Sequence, residues 1–116
     1  MPDSTKHNIP LRVRNLIRKA GTRKTKEIAD YLQISIRVAD LPSSINSFSA
    51  TILKNRYICI SDQLNEPIEQ NKAICKGIGY FLIGGNEEEL EHFENELYSQ
   101  LLDGDLQSAD NYLRIG

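Results

Sequence analysis

The stretch EIADYLQISIRVADL, residues 27–41, decides the fold because the spacing of its apolar residues changes in the middle. Ile28, Ala29 and Leu32 recur at the spacing of a helix that buries one face. From Ile34 onward apolar and polar residues alternate, and this period of two is typical of a half-buried strand. The stretch therefore predicts a helix followed directly by a strand.

On the N-terminal side the sequence predicts one further helix. It begins at Pro10, has apolar residues at near-helical spacing and ends at Gly21. Thr22 or Thr25 is expected to cap the helix that follows, because both side chains can accept a hydrogen bond from a free backbone N–H. Residues 1–8 are polar and are expected to be flexible.

On the C-terminal side two more strands are predicted, SFSATILK (47–54) and NRYICIS (55–61), with a hairpin turn near Asn55. A helix is then expected from Pro67 to the Gly84–Gly85 pair. Its expected buried residues are Ile68, Ala73, Ile74, Ile78 and Phe81 or Leu82.

A last helix is predicted after Asn86, which would cap it, and a short tail is expected to add at most one turn. The apolar residues of this helix are Leu90, Phe93, Leu97, Leu101 and Leu102. The sequence as a whole predicts an α+β fold over residues 1–116, with two N-terminal helices, a small three-stranded antiparallel or mixed sheet and two C-terminal helices.

Composition limits the function classes. A chain of 116 residues and 13.2 kDa has room for one domain. It lacks an apolar run of about 18 residues, the minimum for a membrane span, and its first ten residues, MPDSTKHNIP, do not resemble a secretion signal. Two cysteines are too few for a disulfide scaffold or a four-thiolate zinc site. We expect a cytoplasmic single-domain protein that does not contact membranes.

The charge is unevenly distributed. Residues 1–33 carry eight Lys or Arg and three Asp or Glu, whereas the remaining residues carry six and thirteen. Residues 86–110 contain nine acidic residues and no basic one. This asymmetry predicts either two solvated helix faces or a charged partner at one end of the chain.

One interpretation of residues 27–41 is a helix-turn-helix, in which Ile34 and Ser35 would open a DNA-reading helix. The basic first third of the chain would then contact phosphates. Ile36 occupies a position that should be exposed to bases, and Val38 comes one residue too early for the core of such a helix. Because of these two mismatches, a small DNA-binding regulator is kept only as the alternative prediction.

The other interpretation rests on four segments in a fixed order: GTRKTKEIADYLQISIRVADLP (21–42), NRYICISDQLNE (55–66), CKGIGYFLIG (75–84) and ELEHFENELYSQLL (89–102). Their order and spacing resemble the ImmA/IrrE family of metallopeptidase-like proteins of bacteria, prophages and mobile elements. The likeness spans roughly residues 15–102. It implies a minimal zincin-like core, in which the third segment replaces a helix that carries an HELGH motif.

The resemblance also implies that the catalytic motif is lost. Lys76 and Tyr80 stand where the family has the two zinc-binding histidines, and Gly77 stands at the glutamate that activates the metal-bound water. Glu91, in the third-ligand region, is the ligand-like residue that remains, and Asn95 stands at the family's Asn. A protonated Lys repels zinc and Gly cannot act as a base, so we expect no catalytic residue, no metal and no cofactor.

Other side chains of the chain do not replace the missing zinc ligands. His7 lies in the polar start, and His92 points about 100° away from Glu91 on a helix, so neither completes a site. Cys75 and Cys59 are expected to be small buried residues. An active peptidase with a rearranged site is the least favoured alternative.

Two conformations are possible for the Lys76 side chain. It either forms an ion pair with Glu91 or extends to solvent.

The predicted function follows from the resemblance. Members of the family are typically encoded beside helix-turn-helix repressors and control them by cleavage or by binding. The chain is therefore expected to be a catalytically inactive, regulatory domain that binds a repressor-type protein through its acidic C-terminal part. Nucleic acid is the alternative partner.

Overall fold

The computed structural model describes the backbone of residues 8–84 and 86–115 and the side chains of residues 8–84 and 86–102. This part of the chain contains four helices and three strands. They are α1 (Ile9–Ala20), α2 (Thr25–Tyr31), β1 (Ile34–Ala39), β2 (Ser47–Ile52), β3 (Asn55–Ser61), α3 (Pro67–Leu82) and α4 (Glu87–Ile115). The predicted α+β class and order of elements are confirmed. The predicted flexible start lies outside the described residues except for Asn8.

The three strands form one mixed sheet in the order β1–β3–β2. Strand β3 lies in the centre, parallel to β1 and antiparallel to β2, and Ile58 pairs with Ile36 on one side and Ser49 on the other. The β2–β3 hairpin turns at Leu53 and Lys54, whose φ angles are 51° and 71°. This left-handed backbone matches the twist of a two-residue hairpin, although neither residue is one that such turns favour.

The helix ends follow the sequence signals with one exception. Gly21 ends α1 with a φ of 71° and donates its N–H to Ile17 O. The side chain of Asn86 accepts the N–H of Glu89 at 2.9 Å and caps α4 as predicted. The predicted cap of α2 is wrong, because Lys24 occupies that position. Thr25 is instead buried in the first turn, where its hydroxyl donates to Asn71 Oδ1 at 2.7 Å.

The core lies between the sheet and the helices that cover one of its faces. Ile58 of β3, Ile74 and Ile78 of α3, and Phe93 and Leu97 of α4 are all fully buried. These residues tie the sheet, α3 and α4 into one cluster, which also includes Val13 of α1 and Ile28 of α2. Burial of this kind stabilises a domain by about 25 cal/mol per Å² of apolar surface.

Three apolar residues depart from the predicted burial. Ile68 is 58% exposed in the first turn of α3, and Leu102 is 41% exposed on α4. Val38 is 68% exposed because it lies near the end of the edge strand β1, where burial decreases along the strand. The predicted short tail is also different, since α4 continues as one helix to Ile115.

The predicted strand from Ile34 is confirmed, and the alternative interpretation as a DNA-reading helix is wrong. Residues Ile34–Ala39 form a strand paired with β3 over its whole length. Gln33, with a φ of 61°, turns the chain out of α2 and directly into that strand. The described helices include none that is both long and apolar enough to cross a membrane.

Candidate functional site

The candidate site lies on α3, the helix whose sequence resembles a zinc-binding helix. Gly77 is buried on the side of α3 that faces the sheet. A Cβ atom placed on Gly77 would lie 2.6 Å from two carbon atoms of the Ile58 side chain, closer than real Cβ contacts come. Ile58 is itself fully buried, so its side chain would have to shift within the core to admit that atom. The position that the resemblance assigns to the catalytic base is therefore filled by the sheet.

Gly79, two residues further, serves a second close contact. A Cβ atom on Gly79 would lie 2.7 Å from the Phe93 ring on α4. Gly79 therefore permits close packing of α3 against α4, as Gly77 permits close packing of α3 against β3.

Lys76 stands at the position that the resemblance assigns to the first zinc ligand. Its Nζ atom lies 3.3 Å from Oε1 of Glu87, in the first turn of α4. Of the two alternatives for Lys76, the ion pair with Glu91 is wrong, because the carboxylate that Lys76 meets belongs to Glu87, one turn earlier on α4. Both side chains are well exposed, 41% for Lys76 and 83% for Glu87, so the pair holds the two helices together only weakly.

Tyr80 stands at the position that the resemblance assigns to the second zinc ligand. It follows Lys76 by four residues and therefore lies on the same side of α3. Its side chain is 47% exposed, and its ring meets that of Phe81 edge-on at a centroid distance of 5.2 Å. This phenol is a poor substitute for a neutral imidazole as a zinc ligand.

The remaining predicted candidates do not converge with these positions. Glu91, His92 and Asn95 are all exposed on α4. Within the described part of the chain, no group of three His, Cys, Asp or Glu side chains is arranged to hold a metal ion. His7 lies outside the described residues. The donor set at Lys76, Gly77 and Tyr80 does not fit a zinc ion, since a protonated amine, a hydrogen atom and a phenol offer no paired imidazoles.

The two cysteines differ in burial. Cys75 is fully buried on α3, as expected, and burial raises the pKa of its thiol to about 12, with the Glu94 carboxylate acting in the same direction. Cys59 is only half-buried, which corrects the prediction that it is a core residue. It pairs with Arg37 and Phe48 on the face of the sheet opposite to Ile58 and Ile60. No described helix covers that face at Phe48, which is 46% exposed.

A groove of about 530 Å³ adjoins the candidate site. Its walls are the loop Ser44–Ser47 and polar side chains of α3 and α4, including Lys72, Lys76 and Glu94. Burial raises the pKa of Glu94, with smaller raising effects from Glu91 and Glu87, while Lys72 and Lys76 act against this rise.

Lys72 and Glu94 were not among the candidate site residues predicted from the sequence. The sequence spacing could have identified them, because Lys72 precedes Lys76 by four residues and Glu94 follows Glu87 by seven. At helical spacing these residues form two facing rows of opposite charge.

Comparison with protein-family models, curated proteins and solved structures returned no match to this chain.

Proposed function

We propose that this chain is a catalytically inactive ImmA/IrrE-like domain with a regulatory, protein-binding role. The observation that carries the proposal is the packing at Gly77. At the position of the catalytic glutamate there is neither a side chain nor space for one, because Ile58 fills it. A zinc peptidase needs that carboxylate to accept a proton from the attacking water.

The charges around α3 support the same conclusion. Lys76 brings a positive charge to the first ligand position and is partly neutralised by Glu87 rather than by a metal. Zinc would have to displace this pair, bind beside an ammonium group and do so without imidazoles. The chain thus combines the order of elements that the resemblance implies with side chains that disfavour metal at the expected place.

The acidic surface of α4 supports the binding role. Glu87, Glu88 and Glu91 are exposed in its first two turns, and residues 77–113 contain no Lys or Arg. A helix-turn-helix repressor, the partner class that the resemblance implies, carries a basic DNA-binding surface. Complementary charge would direct its association with α4 and would make the rate of association depend on salt.

The test of this role is a direct binding measurement with a repressor encoded beside the gene for this chain. We expect calorimetry to detect a complex that Glu88→Gln/Glu91→Gln weakens about tenfold or more, as expected for loss of rim charges that steer a basic partner. Glu66→Gln/Asp40→Gln is the matched control, since it removes two exposed carboxylates outside α4.

The control variant should bind as the unmodified chain does. Absence of a complex with the repressor, or equal weakening by both double variants, would contradict the role of α4. Cleavage of the repressor by the purified chain would contradict the claim of inactivity.

A further inference from the structure

The most basic surface of the molecule is separate from the candidate site. Between Asn8 and Lys26 the sequence has no Asp or Glu. Its Lys and Arg residues lie on α1, in the loop that follows and at the start of α2, and every one of them is exposed. They are Arg12, Arg14, Arg18, Lys19, Arg23, Lys24 and Lys26, which together we call the basic face.

The charges of the basic face are not neutralised by the described carboxylates. Among the side chains that the structure describes, the only ion pair within 4.0 Å is the one between Lys76 and Glu87. The polar partners of the basic face are uncharged, since Arg12 donates to the carbonyl of Leu82 and Arg18 donates to Asn15 Oδ1 at 2.7 Å. An anionic partner would therefore meet cations that keep their full charge.

The shape of the basic face brings these cations together. Arg14, Arg18 and Arg23 line one groove of about 420 Å³. Arg23 also lines a neighbouring groove of about 850 Å³, together with Lys24, Lys26 and one carboxylate, Glu27. The two grooves meet at the loop that begins with Gly21, so cations from α1 and α2 follow one continuous path. Planar guanidinium groups bind phosphate oxygens in pairs, which suits such a path to a chain of phosphates.

We propose that the basic face binds the phosphate backbone of duplex DNA without reading its sequence. Residues Ile34–Ala39 form a strand in place of a recognition helix, so the helix-turn-helix-like segment offers no helix to the major groove. Single-stranded nucleic acid needs several aromatic side chains for stacking, whereas residues 8–26 contain none and Tyr98 is the one aromatic residue that lines the two grooves. A membrane surface needs a row of apolar side chains beside the cations, whereas Leu11 is the one large apolar residue exposed on α1.

The experiment is a titration of a fluorescently labelled, random-sequence DNA duplex with the full chain. Binding is measured by fluorescence anisotropy at several salt concentrations. Logarithms of affinity and salt should be linearly related, with a slope of about −0.9 for each phosphate contacted. Arg14→Gln/Arg18→Gln should weaken binding about tenfold at low salt and reduce the slope by about two.

The matched control is Arg37→Gln/Lys54→Gln, which removes two exposed cations from the sheet and leaves the basic face intact. It should bind duplex DNA as the unmodified chain does. Thermal unfolding of all three proteins would verify that the exposed substitutions leave the fold unchanged.

Several results would overturn the proposal. They are the absence of duplex binding at low salt, equal weakening by the two double variants, and tighter binding to single-stranded DNA than to the duplex. Polyglutamate that competes as well as DNA at equal charge would assign the basic face to an acidic protein. Salt-sensitive self-association that Arg14→Gln/Arg18→Gln abolishes would assign it to the acidic helix α4 of a second copy.

Discussion

The two sides of α3 are built in opposite ways. The side that faces the sheet and α4 has no free space, because Gly77 meets Ile58 and Gly79 meets Phe93 at distances that admit no further atom. The other side carries Lys76 and Tyr80, both well exposed, with a weak ion pair as its strongest contact. Packing and surface chemistry therefore impose separate constraints on one helix. Side chains on the exposed side can change at little cost to the fold.

Placing a glutamate at position 77, where the resemblance assigns one, should break this arrangement most severely. Gly77→Glu forces a side chain into Ile58 and carries a carboxylate into the core, which should lower the free energy of unfolding by at least about 3 kcal/mol. Urea denaturation measures this loss. Lys76→His/Tyr80→His, on the exposed side, is the control and should change stability by less than about 1 kcal/mol.

The same prediction can be sharpened with a second substitution. In an Ile58→Ala background the cost of Gly77→Glu should fall by about 1–2 kcal/mol, because the direct clash is removed. An equal cost in both backgrounds would mean that Ile58 does not fill this position.

The second largest effect concerns the thiols. Cys75 lies on the packed side of α3 with a pKa of about 12, so almost none of it is thiolate at neutral pH. We expect Cys59 to react with a disulfide reagent about a hundredfold faster or more in the folded chain, since it is half-buried on the sheet face that Phe48 shares. Labelling of Cys59→Ser and Cys75→Ser variants identifies each phase. Two equal rates in native buffer would contradict the burial of Cys75.

The sequence was sufficient to locate the helices and strands and insufficient to tell which of their residues meet which neighbours. Periodicity and end signals such as Gly21 and Asn86 located the elements, because local backbone chemistry determines where helices begin and end. Alternation at Ile34 and Ile36 likewise identified β1 against the helix-turn-helix interpretation.

The errors share one physical cause. The exposure of Ile68 and Val38 could not be predicted. Periodicity indicates which face of an element a residue lies on, but it does not indicate whether a neighbouring element covers that face. The partner of Lys76 depends on how α3 crosses α4, which the Gly79–Phe93 contact influences across a long-range interface. That Lys76 and Tyr80 carry no imidazole follows from residue identities alone, whereas the contact between Gly77 and Ile58 required the sheet.

A smaller effect on stability is expected for Glu94, which lines the groove of about 530 Å³ beside α3. Burial raises the pKa of Glu94 above its ordinary value of 4.5. The Glu94 carboxylate therefore binds a proton more tightly in the folded chain than in the unfolded chain. Stability from this group is therefore lost as the pH rises through that value and above. Glu94→Gln lacks the titration, and its stability relative to the unmodified chain should improve between about pH 4 and pH 7. Urea denaturation across this range checks the trend. Parallel stability curves would contradict it.

The smallest effect is predicted for the ion pair itself. Lys76→Met should change the free energy of unfolding by less than about 0.5 kcal/mol, because the pair with Glu87 is exposed and screened by solvent. A double-mutant cycle with Glu87→Gln isolates the coupling. A coupling well above about 1 kcal/mol would mean that the exposed side of α3 contributes to the fold.

The metal content of the chain, purified without a chelator or a histidine tag, tests the central claim most directly. After dialysis, elemental analysis should find zinc below about a tenth of an equivalent, because Lys76, Gly77 and Tyr80 provide no ligand set for it. One tightly held equivalent of zinc would contradict the account. It would direct attention to Cys75, Glu91 and His92 as ligands in a rearranged site and would restore peptidase activity as a hypothesis.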